Sequence, residues 1–385
     1  MNVLTTTAGL SCASGLGKSV CMLTSAHEAT EDRILAKECQ SLVRAGYKVS
    51  IIAPHPKDEI IFGIPIKALP QSTGRASRIS RTLWHLYREA IRQRADIYHL
   101  HDPELILVGM LLKMRGKSVF YDVREDLPAD ILDKYWINPW LRVSIAKAAA
   151  ATEFLAGSLF DGIVAATPHI AERFPKMRTR AIQNFPILDE SEVPIPVPYR
   201  GRPPLVLYFG GITAIRGVRE MVDGMAFLPE GLQARLAIAG CFAPAELETE
   251  MRQQAGWSRV DYVGWQARPG LLDLLSQARV GVVPYLPAAN HTDCQPIKLF
   301  EFMRAGLPVV VSNLTRLTEI VTSADCGLVV DATKPQEIAN AIQWLLEHPM
   351  EAELMGARGR KAVLDFYNWH SQAQDLLVLY RRIQR

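Results

Sequence analysis

Asp293 and Glu301 stand with seven residues between them in the run Asp293-Cys294-Gln295-Pro296-Ile297-Lys298-Leu299-Phe300-Glu301-Phe302-Met303-Arg304-Ala305-Gly306-Leu307-Pro308. A helix opening near Pro296 and stopped by Gly306 leaves the amides of Ile297 and Lys298 free at its positive end, where they can receive a diphosphate. The Lys298 ammonium adds a charge-assisted contact. Glu301, one turn on, is placed to accept two vicinal hydroxyls of a ribose. Proline at the first helical position and glycine at the end are ordinary helix punctuation. Punctuation does not explain an acid inside the apolar Leu-Phe-Glu-Phe-Met run, so Glu301 reads as functional.

In the first half, His101 and Asp102 directly follow the apolar run Ile97–Leu100, and Asp122-Val123-Arg124-Glu125-Asp126 closes the next one. Parallel sheets bind ligands at the carboxyl ends of their strands, so these residues are candidates for contact with substrate. Glu31 and Arg33, placed on a loop entering the first helix, are further candidates for an acceptor side. Gly15-Leu16-Gly17-Lys18-Ser19 invites a phosphate-loop reading and fails on detail. Cys12 stands where that pattern needs glycine, and a strand rather than a helix follows. The six cysteines include no C-x-x-C pair and no histidine at ligand spacing, so they read as reduced thiols.

These residues require two parallel sheets to hold them. Short β-branched runs alternate with patterns of 3.6 period, giving strands at Val20–Thr24, Val49–Ala53, Ile97–Leu100, Val119–Val123 and Ile163–Ala166 in the first half. The second half offers Leu205–Phe209, Leu236–Ala239, Val280–Pro284 and Val309–Ser312. Six prolines between Pro186 and Pro204 fit neither a helix nor a central strand and mark a linker over 186–204. The expectation is an α/β chain with two Rossmann-like domains, 1–185 and 205–366, whose sheets face a cleft. The last helix, within 367–385, is expected to cross back to the first domain.

With 49% hydrophobic and 22% charged residues, the 385-residue chain is long enough for two cores and has no biased composition. It holds no run of 18 uncharged apolar residues, and its start lacks a basic and apolar leader, so a cytoplasmic location is expected. Residues 1–185 carry 24 Lys and Arg against 18 Asp and Glu, while 186–385 carry 19 against 22. Much of that excess comes from Arg75, Arg78, Arg81, Arg88, Arg92 and Arg94, which alternate with Leu83, Trp84, Leu86, Tyr87 and Ile91. This is a basic amphipathic helix suited to an anionic membrane, or equally a surface helix packed on its sheet. No nucleic-acid partner is expected.

The run from Asp293 resembles the acid-x7-acid signature of the retaining family 4 glycosyltransferases of the GT-B fold, in the variant P-x-K-L-F-E-[YF]-M-x-A-G-x-P-V-V. The resemblance extends over His101-Asp102-Pro103-Glu104, Tyr121-Asp122-Val123, Asn184-Phe185-Pro186, Gly210 to Gly217, Gly264 and Tyr367-Asn368-Trp369. It implies transfer of a hexose from a nucleoside-diphosphate sugar, with UDP expected ahead of GDP, to a sugar or lipid-linked saccharide in polysaccharide or glycolipid synthesis. It also implies retention of configuration and no metal or cofactor, with which the lack of a D-x-D triplet agrees.

Carried over by residue, the resemblance assigns Asp293 to donor-sugar hydroxyls and Glu301 to the ribose. Gly210, Gly211, Ile297 and Leu299 line the donor, and Arg216 and Lys298 neutralise the diphosphate. His101 joins the catalytic set, while Glu31, Arg33, Asp102, Arg124, Glu125 and Asp126 lie on the acceptor side. Three departures stand out. Gly211 replaces a cation of the G-R-x4-K-G loop, Pro296 offers no amide where glycine is frequent, and Arg124 stands where relatives carry histidine. The alternatives are a non-catalytic binder of sugar nucleotides, or an epimerase or phosphorylase on the same fold.

Overall fold

The computed structural model describes residues 17–70, 82–133, 137–188, 198–288, 291 and 293–382. The chain divides into two compact units, one formed by 1–184 with 369–385 and the other by 185–368. The division therefore falls between Asn184 and Phe185, and helix Trp369–Arg381 belongs with the first unit. Residues 189–197 of the expected linker, and Arg75, Arg78 and Arg81, lie outside the described residues.

The first unit is built on an eight-stranded sheet, in chain order β1 (Ser19–Leu23), β2 (Lys48–Pro54), β3 (Glu59–Ile61), β4 (Ile64–Leu69), β5 (Ile97–Leu100), β6 (Ser118–Val123), β7 (Gly162–Ala165) and β8 (Thr179–Ala181). Its spatial order is β3-β4-β2-β1-β5-β6-β7-β8, and only the β3–β4 pair is antiparallel. β1, with β2 on one side and β5 on the other, marks the point where the winding reverses. Strands β5 and β7 are buried at every position, as expected when helices cover both faces.

The second unit carries a six-stranded parallel sheet in the order β11-β10-β9-β12-β13-β14. Its strands are β9 (Leu205–Phe209), β10 (Arg235–Ala239), β11 (Val260–Gly264), β12 (Val280–Val283), β13 (Val309–Ser312) and β14 (Gly327–Val330). Winding reverses here between β9 and β12. Gly281 on β12 lets the Phe302 ring lie on the sheet, since a Cβ there would sit 2.4 Å from it.

The described part of the basic helix, Leu83–Gln93, buries Leu83, Leu86, Tyr87 and Ala90 in the first unit's core. Trp84, 58% exposed, stays outside that contact, as do Arg88, Arg92 and Arg94, and Arg92 pairs with Glu89.

Helix Trp369–Arg381 completes the first core. Tyr380 is fully buried, stacks on Phe120 at 4.3 Å between ring centroids, and its hydroxyl lies 2.9 Å from His99 Nδ1. Tyr380→Ala should therefore lower stability by about 3–5 kcal/mol through the cavity it leaves. The check is the urea midpoint of the first unit's transition, which should fall while that of the second unit stays in place.

Candidate functional site

In the second unit the site grows from the carboxyl ends of β9 and β12, where the strand order reverses. Beyond β9 the chain turns at Gly210 and Gly211, forms a short 3-10 turn over Ala214–Arg216, and enters helix Val218–Ala226 through Gly217. Gly217 has φ +73°, and a Cβ there would fall 1.8 Å from the Pro284 carbonyl oxygen just after β12, so only glycine lets the loop approach so closely. The Gly211 carbonyl accepts from Tyr208 Oη at 2.8 Å and from Arg216 Nη1 at 3.0 Å. A Cβ on Gly211 would lie 2.4 Å from that Nη1. The glycine that replaces a cation in the sequence thus makes room for the guanidinium that remains.

Helix Ile297–Arg304 brings Lys298 to the same place. Its ammonium lies 3.6 Å from the centre of the Tyr208 ring and 5.3 Å from that of Tyr285, and Arg216 also lies over Tyr285 at 5.8 Å. Lys298 is only 6% exposed, and its Nζ has no hydrogen-bond partner among the described residues. Burial, with Arg216 adding to it, holds its pKa well below the usual lysine range. A buried amine so held beside a guanidinium, with an aromatic face as its contact, has the chemistry to gain a proton together with an anion.

Glu301 sits one turn away, 8% exposed, with Oε1 3.2 Å from Arg268 Nη1 and Oε2 3.9 Å from Arg304 Nη1. It is more enclosed than a carboxylate open to solvent. Arg268, at the start of helix Arg268–Gln277, had no signal in the sequence. Ile297 is exposed at the helix N-terminus, whereas Leu299 is wholly buried and its amide already donates to the Pro296 carbonyl. Leu299 therefore carries packing, a correction to its expected place on the donor. Asp293 lies in a partly exposed turn before Cys294, whose thiol burial pushes up to about 12.

The first unit gathers its candidates into a buried ionic network. Arg33 donates to both oxygens of Asp122, from Nε at 2.8 Å and Nη2 at 2.9 Å, and from Nη1 to the Ile182 carbonyl at 3.0 Å. It is 3% exposed and begins a helical segment, so it ties β6 to that segment instead of lining an open acceptor surface. Burial would raise the Asp122 pKa, but Arg33 and His101 hold it well below the carboxylate range. Glu38, which sequence reasoning missed, lies 3.0 Å from Arg33 Nε. That proton points at Asp122, so neither Glu38 oxygen has a hydrogen bond. Burial and the Asp122 charge raise its pKa well above the usual value.

His101 is buried, with Nδ1 3.3 Å from Asp122 Oδ2 and 3.2 Å from Arg124 Nη2. Burial lowers its pKa against the opposing pull of Asp122. Asp102 accepts at Oδ2 from Thr24 Oγ1 at 2.8 Å and from the Ser25 amide at 2.6 Å, joining the ends of β5 and β1. Asp126 accepts from the Ala129 amide and pairs with Arg173, so it fixes a helix start. Asp102 is thus a buried tie between strands, whereas Asp126 stays partly exposed among the acceptor-side candidates. Arg124, paired through Nη1 with both oxygens of Glu31, and the exposed Glu125 remain near the surface at the end of β6. Glu38, His99, His101 and Asp122 offer atoms within 4.8 Å of one another, a spacing that suits a metal ion. Arg33 already occupies the cation's role on Asp122.

Residues 33–184 match the profile described as Glycosyltransferase Family 4, and 203–348 match that described as Glycosyl transferases group 1. Together they cover most of the chain, one on each unit. The chain belongs to the family 4 glycosyltransferases. Among its relatives is a GDP-mannose-dependent alpha-(1-6)-phosphatidylinositol dimannoside mannosyltransferase of Mycobacterium tuberculosis, 27% identical over 45% of this glycosyltransferase and 43% of that protein. The chain thus spans less than half the length of that relative. D-rhamnosyltransferase WbpZ of Pseudomonas aeruginosa is 25% identical over 72% of this chain and 71% of its own. The fold is that of sucrose-phosphate synthase from Thermosynechococcus elongatus, with TM-score 0.73, 20% identity, and coverage of 95% and 99% of the two chains. It is likewise that of Anabaena HepE in complex with UDP-glucose, with TM-score 0.68, 13% identity, and coverage of 95% and 99%. The GT-B architecture of this glycosyltransferase therefore stands on both sequence and fold.

Because burial and Arg216 hold Lys298 below its usual pKa, a bound diphosphate should raise it again. Nucleoside diphosphate binding should then take up a proton near and above the depressed pKa, and affinity should fall as pH rises through the raised one. Calorimetry in buffers of different ionisation enthalpy reads this uptake directly. Lys298→Met should abolish it; unchanged uptake in that variant would assign the proton elsewhere.

Proposed function

We propose that this glycosyltransferase moves a hexose from a nucleoside-diphosphate sugar to an acceptor hydroxyl, with retention of anomeric configuration and without a metal. The observation that carries the reading is Lys298, buried at the ends of β9 and β12 beside Arg216, with Nζ on the Tyr208 ring and no hydrogen-bond partner among the described residues. A departing diphosphate supplies an anion there, and its charge grows as the glycosidic bond to phosphate breaks. Preorganised donors aimed at such charge lower the barrier without reorganising at the moment of reaction. Arg216 and Lys298 perform this task, supported by the N-terminus of helix Ile297–Arg304.

Glu301 holds the ribose hydroxyls in this reading, with Arg268 fixing the carboxylate, and Asp293 holds hydroxyls of the donor sugar. The departing phosphate oxygen takes the acceptor proton, so no protein base is required. Arg124 and Glu125 are assigned to the acceptor. A lipid-linked saccharide is the proposed acceptor, in keeping with the phosphatidylinositol dimannoside in the mycobacterial relative's name. For the base, the expected UDP is supported by the HepE complex, whereas that relative is named for GDP-mannose. A cytoplasmic site of action is part of the same proposal.

Incubating the protein with UDP- and GDP-hexoses and following release of free diphosphate tests the donor, and product anomer analysis tests retention. Binding without release would leave a sugar-nucleotide binder. Activity should survive chelation; loss restored only by a divalent ion would overturn the metal-free mechanism. Arg216→Ala and Lys298→Ala should each lower turnover more than donor binding, because they act on charge that develops in the transition state. Glu301→Gln should instead weaken donor binding by about 1.5–3 kcal/mol, the worth of a charge-assisted hydrogen bond.

A further inference from the structure

Helix Pro139–Leu159 of the first unit reverses the usual arrangement of a surface helix. Its buried residues are Ala146, Glu153, Ala156 and Gly157: three small side chains and the helix's one acid. Glu153 pairs inside with Arg173, and burial raises its pKa. The large apolar side chains point outward instead. Trp140 is 89% exposed and Phe154 67%, with Leu141, Val143, Leu155 and Leu159 also open to solvent. At about 100° per residue these six fall on one arc of roughly 160°, along an element about 30 Å long. A core-packed helix buries such a stripe. A patch this long and this apolar marks an interaction surface.

The charge around the stripe selects the partner. Lys147 is the only charged residue within the arc, near its middle, and the remaining exposed positions there are Ser144, Ala148, Ala151 and Ser158. Beyond the helix end, Arg178 is exposed and donates from Nη1 to the Ser158 carbonyl at 2.7 Å. Lys176 and Met177 precede it, both exposed, the methionine by 80%. An apolar stripe carrying only cations, with a tryptophan at one end, suits the interface of a bilayer with anionic headgroups. No helix among the described residues is long and apolar enough to cross a membrane, so this one would lie in the interface plane. Pairing with a second copy would set like against like and bring the two Lys147 side chains close together.

We propose that helix Pro139–Leu159 seats this glycosyltransferase on an anionic lipid surface, with Trp140 and Phe154 as its anchors. The inference rests on the exposed face alone and stands independently of donor, acceptor and catalytic roles. It adds a second membrane-facing element to the Leu83–Gln93 helix, which buries Leu83, Leu86, Tyr87 and Ala90 and leaves Trp84 exposed.

The test is co-sedimentation of the full chain with phosphatidylglycerol–phosphatidylethanolamine vesicles and with phosphatidylcholine vesicles, alongside its mass by light scattering. Wild type should bind the anionic vesicles in preference. Trp140→Glu and Phe154→Glu should each lower partitioning roughly tenfold or more, and Lys147→Gln roughly fivefold. The melting temperature should be unchanged in all three, since these side chains lie outside the core. Absence of wild-type binding to anionic vesicles, or undiminished binding by both glutamate variants, overturns the proposal. It is equally overturned if the glutamate variants turn a wild-type dimer into a monomer and leave vesicle binding intact, which assigns the face to a second copy.

Discussion

The ammonium of Lys298 is shut away from water with an aromatic ring beneath it and another cation nearby, and the second unit is arranged to keep it there. Burying an unpaired charge costs several kcal/mol, and the depressed pKa of Lys298 expresses that cost. Here the surroundings are apolar and rigid. Leu299, Phe300, Phe302 and Met303, around and beyond the lysine on the same helix, are packed into the core, so the lysine cannot swing out without moving the helix. Tyr208, under the ammonium, is fixed through its hydroxyl to Gly211, which also receives Arg216. On the proposed reading a bound anion restores the lysine's charge, which couples the stability of this unit to occupancy of its site.

The first unit follows the opposite logic. Its charges are matched within the protein: Asp122 is forked by Arg33, burial and Asp122 raise the pKa of Glu38, and Glu31 takes up Arg124. Such a network contributes little net stability against a hydrophobic replacement but fails badly if one partner is removed. Its members come from β5, β6 and the helical segment beginning at Arg33, so it sets the positions of those elements' ends. Arg124 and Glu125, at the edge of the network, lie nearest the surface, while Glu38 and His101 Nε2 inside it keep hydrogen-bonding capacity that no group among the described residues takes up.

What could be read from sequence follows from local chemistry. Runs of β-branched residues located β5, β9 and β13 to the residue, since fully buried parallel strands are written as continuous apolar segments. The strands that escaped notice are near the sheet edges. β11 reads Val-Asp-Tyr-Val-Gly and is only partly buried, and β8, Thr-Arg-Ala, is three residues long. Lys298 and Arg216 were legible because each lies within a short motif whose geometry is local. The Arg268 contact to Glu301 was not, since it depends on bringing two distant helices together. Arg33 misled for a related reason: a charge at a helix start reads as solvated until a carboxylate from another strand is known to meet it.

The two surface helices of the first unit show the same limit from the other side. Sequence periodicity finds an amphipathic helix by its charged face, so Arg88, Arg92 and Arg94 drew attention to Leu83–Gln93. Periodicity cannot say which face the fold consumes. There Leu83, Leu86, Tyr87 and Ala90 meet the core, and the arginines with Trp84 are what is left over. In Pro139–Leu159 alanine, glycine and one paired glutamate suffice for the inner contact, so the large apolar residues are displaced outward, where fold stability gains nothing from them. Solvent exposure of such residues favours aggregation unless something covers them. The cost of leaving that face bare is thus itself the argument that another surface completes it.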